Sequence, residues 1–157
     1  MTTSQNGWPA SADKSEIDVK NYLVDGIGVH FAVAKGAAPL LMAFAKFFNN
    51  QIELISGATY DDWGHSYRPI RGETKGLSNH SSGSAIDINS TQHPMGSKNT
   101  FTPEQAAKIR KECKRLGLAW GEDFKRVDGM HFEVALKPAD AAKLIEKLNL
   151  PMPKVKG

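Results

Sequence analysis

Two short runs of residues, about forty positions apart, constrain the fold of this chain more than any other feature. The first run, residues 78–87, reads SNHSSGSAID, and the second, residues 128–133, reads DGMHFE. Between them, His80, Asp87 and His131 supply two imidazoles and one carboxylate, a set of three ligands with which proteins hold a catalytic zinc ion. A fold that uses this set must bring the two runs together around one cation and leave a fourth coordination position for water.

The residues of the first run indicate its local shape. Small residues fill the interval between His80 and Asp87, and Gly83 can adopt a positive φ, so a tight turn is predicted there. Ile86 and Ile88 then alternate with other side chains, a pattern typical of a short strand with one buried face. The isoleucines would pack inward while Asp87 points toward the site.

The second run predicts another loop that leads into a strand. His131 and Glu133 would share one face of that strand and Phe132 and Val134 the other, because successive strand side chains point to opposite faces. A single histidine in a polar loop is usually a surface residue, but the joint pattern favours metal binding. The mixture of imidazole and carboxylate ligands favours zinc over other divalent metals.

The two runs carry a resemblance to a known family. The pattern SxHxxGxAxD at residues 78–87, followed by DxxH at residues 128–131, resembles the zinc peptidases that include D-Ala-D-Ala carboxypeptidases, D-Ala-D-Ala dipeptidases and phage L-Ala-D-Glu endolysin peptidases. Their fold is shared with the hedgehog signalling domain. Residues 67–72, YRPIRG, resemble the Tyr-Arg segment before the first ligand, and the surrounding sequence is most similar to phage-encoded members.

The resemblance implies a role for each polar residue of the two runs. The two histidines and Asp87 would hold one zinc ion, and Asp128 would take a proton from the attacking water and deliver it to the leaving amine. Arg68 would stabilise the developing oxyanion. Arg71 is the alternative for that role, and a solvated surface charge is the competing interpretation of either arginine.

Other residues fit supporting roles. Ser78 and Glu133 lie beside ligands in the sequence, where hydrogen bonds normally orient the imidazoles. Trp120 and Trp63 could line a substrate groove, although aromatic residues beside short strands more often belong to the core. His93 precedes a proline in a polar loop, and the sequence shows no partner for it.

The pattern of apolar and turn residues predicts an α+β arrangement. The resemblance specifies it as a small, mainly antiparallel sheet flanked by helices, similar to the hedgehog and DD-peptidase domains. The expected elements are a strand at residues 27–33, a helix at 39–49 with proline in its first turn, a buried strand at 52–55, a long loop at 57–75 that carries Arg68, a helix that starts at a capping box at 102–105 and stops at Gly117, and a last helix at 139–148.

The length of 157 residues predicts one catalytic domain. We expect a polar lead-in at residues 1–20, the zinc peptidase domain at residues 21–150, and a tail or linker at residues 151–157. The single cysteine, Cys113, excludes an internal disulfide and fits synthesis in a reducing cytoplasm. We interpret its thiol as inert, because no histidine lies nearby in the sequence to activate it.

Charge and hydropathy limit the partners. The net charge is +3, and a basic excess falls on residues 108–115, which could attract an anionic cell wall but is most simply a solvated helix face. No nucleic-acid recognition motif accompanies it, so we expect no nucleic-acid partner. The first residues lack the basic and apolar regions of a secretory signal, so we expect no signal peptide. The longest apolar run, residues 37–48, is too short to span a membrane. We expect a monomer that acts on the bacterial wall after release through a phage holin, as the resemblance implies.

Three functional hypotheses follow. The first is a zinc endopeptidase that cuts peptidoglycan stem peptides between L-Ala and D-Glu as a phage endolysin. The second is a D-Ala-D-Ala carboxypeptidase or dipeptidase that uses the same residues, in which Arg71 would bind the terminal carboxylate of the substrate. The third is a non-catalytic, metal-stabilised module that binds the cell wall.

Overall fold

The computed structural model describes residues 2–55, 61–70 and 76–157 and shows an α+β fold, as predicted. Its elements in chain order are β1 (Val19–Leu23), β2 (His30–Ala34), α1 (Ala38–Gln51), β3 (Ala85–Asp87), α2 (Pro103–Arg115), β4 (Leu118–Trp120), β5 (His131–Val134) and α3 (Pro138–Leu148). Short 3₁₀ turns lie at Lys14–Ile17, Asn79–Ser82 and Gly121–Asp123. Within the described ranges, no helix is both long and apolar enough to cross a membrane.

In the described ranges the strands form two small antiparallel sheets, which agrees with the predicted, mainly antiparallel architecture flanked by helices. Strands β1 and β2 pair as a hairpin, and β5 lies between β3 and β4 in a three-stranded sheet. The register of β3 and β5 places Asp87 directly opposite His131. Both predicted ligand strands therefore lie side by side, with their functional residues at the same level of the sheet.

The core holds β5 in place from behind. Helix α1 begins at a proline in its first turn, as predicted, and buries Phe44 and Phe48 completely. Phe132 of β5 is also fully buried, and its ring centroid lies 4.4 Å from that of Phe44 and 6.0 Å from that of Phe48. Because strand side chains alternate, this packing fixes His131 on the opposite face of β5.

The predicted strand at residues 52–55 was wrong. In this part of the chain, which the structure describes in full, α1 continues to Gln51 and Leu54 is 76% exposed. The backbone N–H of Ile55 donates to the side chain of Asn49, 2.9 Å away, instead of to a neighbouring strand. By contrast, the capping box of α2 is present as predicted, with Thr102 and Gln105 bonded to each other's backbone.

Both ends of the chain pack on the body of the protein. Trp8, within the predicted lead-in, is 4% exposed and its indole donates to the carbonyl of Leu136 at 2.8 Å. At the other end, Leu23 and Asn21 of β1 form backbone hydrogen bonds with Lys154 and Lys156. The segments expected as a lead-in and a tail therefore contribute to the same packed unit as the central residues.

Candidate metal centre

The three predicted ligands converge from three elements. His80 lies in the 3₁₀ turn Asn79–Ser82, Asp87 ends β3 and His131 begins β5. The turn around His80 closes because Gly83 adopts a φ of 70°, as predicted. A side chain at Gly83 would also lie 2.7 Å from the backbone nitrogen of Ala34, so the turn depends on glycine for space as well as for conformation.

The ligand atoms form a nearly equilateral triangle. The distance between His80 Nε2 and Asp87 Oδ1 is 3.1 Å, that between His80 Nε2 and His131 Nδ1 is 3.1 Å, and that between His131 Nδ1 and Asp87 Oδ1 is 3.2 Å. In a tetrahedral zinc site with bonds of about 2.0–2.1 Å, neighbouring ligand atoms are about 3.3 Å apart. The triangle thus matches one face of such a tetrahedron. All three residues are buried, and together they could hold a metal ion.

Hydrogen bonds on the far side of each ring fix the atoms that face the triangle. His80 Nδ1 lies 2.8 Å from the carbonyl of Gly64, and His131 Nε2 lies 2.7 Å from Glu133 Oε1. A carbonyl and a carboxylate can only accept, so these two ring nitrogens carry the protons. In the neutral rings the remaining nitrogens, Nε2 of His80 and Nδ1 of His131, then present lone pairs toward Asp87. This is the donor arrangement that a divalent cation requires.

The surroundings of the triangle stabilise positive charge. Burial opposes ionisation of Asp87, but the charges of His80 and His131 and their hydrogen bonds outweigh it and hold the pKa of Asp87 well below its ordinary value. Burial likewise opposes a charge on His131, yet its hydrogen bonds to Asp87 and Glu133 raise the pKa of His131 to about 10. A cation placed among these groups is therefore favoured electrostatically.

Asp128 lies beside this triangle in the loop before β5. Its backbone carbonyl accepts from the N–H of His131 at 3.1 Å, and its own N–H donates to Gly121. Its Oδ1 atom is buried and has no hydrogen-bond partner among the described residues. Burial is the main reason that the pKa of Asp128 is raised; the charge of Asp87 adds to the effect, while His131 opposes it. An uncommitted carboxylate oxygen of raised pKa suits a group that accepts a proton.

Arg68 is attached to the turn that carries His80. Its backbone N–H donates to Ser81 Oγ at 3.0 Å, and its carbonyl accepts from Ser78 N at 3.0 Å. The charge of Arg68 is one of the influences that lower the pKa of Asp128, which places the guanidinium within electrostatic range of that carboxylate. Arg71, the alternative oxyanion group, lies outside the described residues.

The residues expected to orient the imidazoles differ in what they contact. Glu133 bonds the ring of His131, the kind of contact expected for it. Ser78 instead accepts from the backbone N–H of His80, so it shapes the turn and not the ring. The carbonyl of Gly64 holds the ring of His80, and sequence reasoning missed it because a backbone carbonyl has no signature in the sequence. A side chain at Gly64 would collide with the carbonyl oxygen of Ala32.

The two tryptophans have different environments. Trp120 is 3% exposed, stacks on Phe132 and donates from its indole to the carbonyl of Gly129 at 2.8 Å. It therefore supports the loop that carries Asp128 and occupies the core, the alternative given for it above. Trp63 is 52% exposed and its backbone pairs with Asp87 in both directions. Phe124, which the sequence did not single out, is also partly exposed, with its ring 5.7 Å from that of His131.

His93 also has partners that the sequence did not reveal. Its Nδ1 lies 2.7 Å from Thr100 Oγ1, its Nε2 lies 2.5 Å from Glu53 Oε1, and its ring stacks on Phe101 at 3.7 Å. Glu53 is forty positions away in the chain. Such a contact depends on the tertiary fold and leaves no local pattern.

Comparison with known proteins gives a match to the model of a protein family. Residues 71–134, about two-fifths of the chain, match the model of a peptidase family described as D-alanyl-D-alanine carboxypeptidase. The matched segment contains the three converging residues and Asp128, so the match supports a peptidase of this family. Neither the curated proteins nor the solved structures give a significant match.

Proposed function

We propose that this protein is a zinc metallopeptidase that hydrolyses the stem peptides of bacterial peptidoglycan, as an endolysin that cuts between L-Ala and D-Glu. The observation that carries the metal assignment is the 3.1–3.2 Å triangle of ligand atoms whose lone pairs are oriented by hydrogen bonds behind each ring. The family match supports the peptidase activity. The choice of bond rests on the resemblance of the two sequence runs to phage enzymes.

Each residue of the site has a defined part in this reaction. His80, Asp87 and His131 would hold zinc, which supplies Lewis acidity and brings the pKa of a water molecule toward neutrality. Asp128 takes a proton from the attacking water at its Oδ1 atom, which has no hydrogen-bond partner among the described residues, and returns the proton to the leaving nitrogen. Arg68 stabilises the negative charge that develops on the scissile carbonyl oxygen, a contribution that in comparable sites is worth about 10²–10³ in rate.

The second candidate is a D-Ala-D-Ala carboxypeptidase or dipeptidase, which the description of the matched family favours. It would use the same ligands and the same base. It differs in needing a cation for the free carboxylate at the substrate terminus, a role for which Arg71 is the proposed residue. A metal-stabilised wall-binding module without activity is the third candidate.

Product analysis separates these candidates. Purified protein loaded with one equivalent of zinc is incubated with muropeptides of known structure, and the products are identified by mass spectrometry. A new N-terminal D-Glu (or its amidated form) supports the endopeptidase, whereas release of D-Ala or of D-Ala-D-Ala supports the second candidate. Binding to cell walls without any product supports the module.

Variants of the site test the assigned roles in the same assay. Asp128→Asn should retain zinc and lose hydrolysis by about 10²-fold or more, because only the proton acceptor is removed. Asp140→Asn, an exposed carboxylate in the first turn of α3, serves as the matched control and should retain full activity. Undiminished hydrolysis by Asp128→Asn would exclude Asp128 as the base.

The biological setting is part of the proposal. We propose release through a holin lesion and action on the wall as a monomer without nucleic acid. Size-exclusion chromatography with light scattering tests the monomer, and lysis of cells from outside and inside, with and without a holin, tests the route to the wall.

A further inference from the structure

Asn79 connects the candidate metal centre to the N-terminal segment. Its side chain lies between Asn6 and Glu133 of β5, and the residue is 2% exposed. Its Nδ2 atom donates to Glu133 Oε2 at 2.7 Å, while the other oxygen of that carboxylate, Oε1, contacts Nε2 of His131 at 2.7 Å. Glu133 is thus held at both oxygens, one by Asn79 and the other by the proposed metal ligand.

The other end of the Asn79 amide is fixed by Asn6. The backbone N–H of Asn6 donates to Asn79 Oδ1 at 2.9 Å. The side chain of Asn6 donates to Ser84 Oγ at 2.7 Å and to the carbonyl of Val134 at 2.9 Å. Asn6 therefore joins the segment that follows the His80 turn to strand β5, which carries His131.

The chemistry of these groups gives the chain of hydrogen bonds one direction. The backbone N–H of Asn6 can only donate, so it selects the oxygen of the Asn79 amide, and the NH₂ group must face Glu133. The carboxylate of Glu133 can only accept, so it selects the protonated Nε2 of His131. The Nδ1 atom of His131 is then left to face Asp87 and the metal.

We propose that Asn79, oriented by Asn6, is a positioning residue that sets the metal-binding nitrogen of His131 through Glu133. This inference rests on the proposed function only in assuming that the site holds zinc. It makes the N-terminal segment a component of the site, although Asn6 lies outside the residues that match the peptidase family.

The substitution Asn79→Asp tests the direction of the hydrogen-bond chain with little change in shape. The introduced carboxylate would still accept from Asn6, but it would offer no donor to Glu133 and would place two carboxylates side by side. Groups that orient metal ligands typically change metal affinity by about 10–100-fold, and we expect a loss of zinc affinity in this range. The measurement is a zinc titration against a competing chelator at a temperature where the zinc-free variant is folded.

A double variant provides the decisive control. In Asn79→Asp with Glu133→Gln, the new glutamine amide can donate to the introduced aspartate while its oxygen still accepts from His131. We expect this double variant to bind zinc more tightly than the summed effects of the two single substitutions would give. Gln5→Ala is the matched control for the N-terminal segment, because the exposed Gln5 side chain is removed while its backbone bond to Leu77 is kept. It should bind zinc like the wild type.

Asn79→Ala tests the same chain of bonds without introducing a charge. It removes both the donor to Glu133 and the acceptor for the backbone N–H of Asn6, so we expect a loss of zinc affinity of about 10–100-fold.

The outcomes separate this inference from the proposed function. Wild-type zinc affinity in Asn79→Asp, or strictly additive losses in the double variant, overturns the positioning role. If Asn79→Asp does not fold, wild-type zinc affinity in Asn79→Ala overturns it instead. A wild-type protein that binds no zinc overturns the metal site itself and with it the proposed function, whereas zinc binding without peptide cleavage leaves the positioning role intact.

Discussion

Gly121 offers a sharp test of how closely the loop of Asp128 is positioned. A methyl group at Gly121 would lie 2.1 Å from the carbonyl oxygen of Asp128 and 3.0 Å from its Cβ atom. Contacts of a Cβ atom below 3.0 Å are essentially not observed, so in Gly121→Ala the backbones of residue 121 and Asp128 must move apart by roughly 0.9 Å. The displaced carbonyl also accepts the N–H of His131, and the N–H of Asp128 donates to Gly121.

Two magnitudes follow from this displacement. Forcing extra volume into a well-packed region costs about 1–3 kcal/mol of stability. A misplacement of about 1 Å in a catalytic group can cost roughly 10²-fold in rate. We therefore expect Gly121→Ala to lose about 10²-fold in muropeptide hydrolysis while it still binds one zinc ion, because Gly121 supplies no ligand.

The assay pairs chemical denaturation with turnover of zinc-loaded protein. Gly28→Ala is the matched control, because a methyl group there meets no atom within 4 Å and the backbone has no positive φ. It should change stability by less than about 0.5 kcal/mol and leave turnover unaltered. Wild-type turnover and stability in Gly121→Ala would show that the Asp128 loop is not held as the contact requires.

Three other properties can be checked independently. Phe44→Ala should cost about 3–5 kcal/mol in urea denaturation, because it leaves a cavity against Phe132 behind the ligand strand; a cost under about 1 kcal/mol would contradict this packing. Hydrogen bonds from His93 and Asn89 lower the pKa of Glu53 although burial opposes this, so its contribution is present above the unfolded pKa and is lost as pH falls through the folded value. Wild-type protein should therefore exceed Glu53→Gln in stability near pH 6–7 by a margin that shrinks in acid, and a margin independent of pH would refute the linkage. Burial raises the pKa of the Cys113 thiol to about 12, so iodoacetamide at pH 8 should label it only after unfolding, as mass spectrometry would show.

The geometry of the candidate site could be anticipated because it is encoded locally. The small residues around Gly83 specify the turn, and the alternation of Ile86 with Asp87 and of Phe132 with His131 specifies which face of each strand is buried. Two strands that carry ligands for one cation must come within a few ångströms of each other at those ligands, and here they pair directly. Sequence periodicity and ligand chemistry were sufficient for that step.

The remaining features depend on contacts between distant residues. The carbonyl of Gly64 holds the ring of His80, and every residue type has such a carbonyl. The backbone N–H of Asn6 is likewise present in every residue type but proline. Nothing in the sequence therefore marks either contact. The apolar character of residues 52–55 suggested a strand. In the structure, α1 continues to Gln51 and the side chain of Asn49 accepts the backbone N–H of Ile55, so no strand forms there. Local propensity is overridden in such places by the tertiary fold.

The attachment of the N-terminus has a consequence for how the protein is made and handled. Asn6 and Trp8 each bond a carbonyl 128 positions later, at Val134 and Leu136. Residues 6 and 8 cannot form these bonds until residues 134–136 have been synthesised, so contacts of high sequence separation must close before the centre is complete. A purification tag fused before residue 1 or after residue 157 adjoins a packed segment, so zinc and activity measurements are best made after the tag is removed.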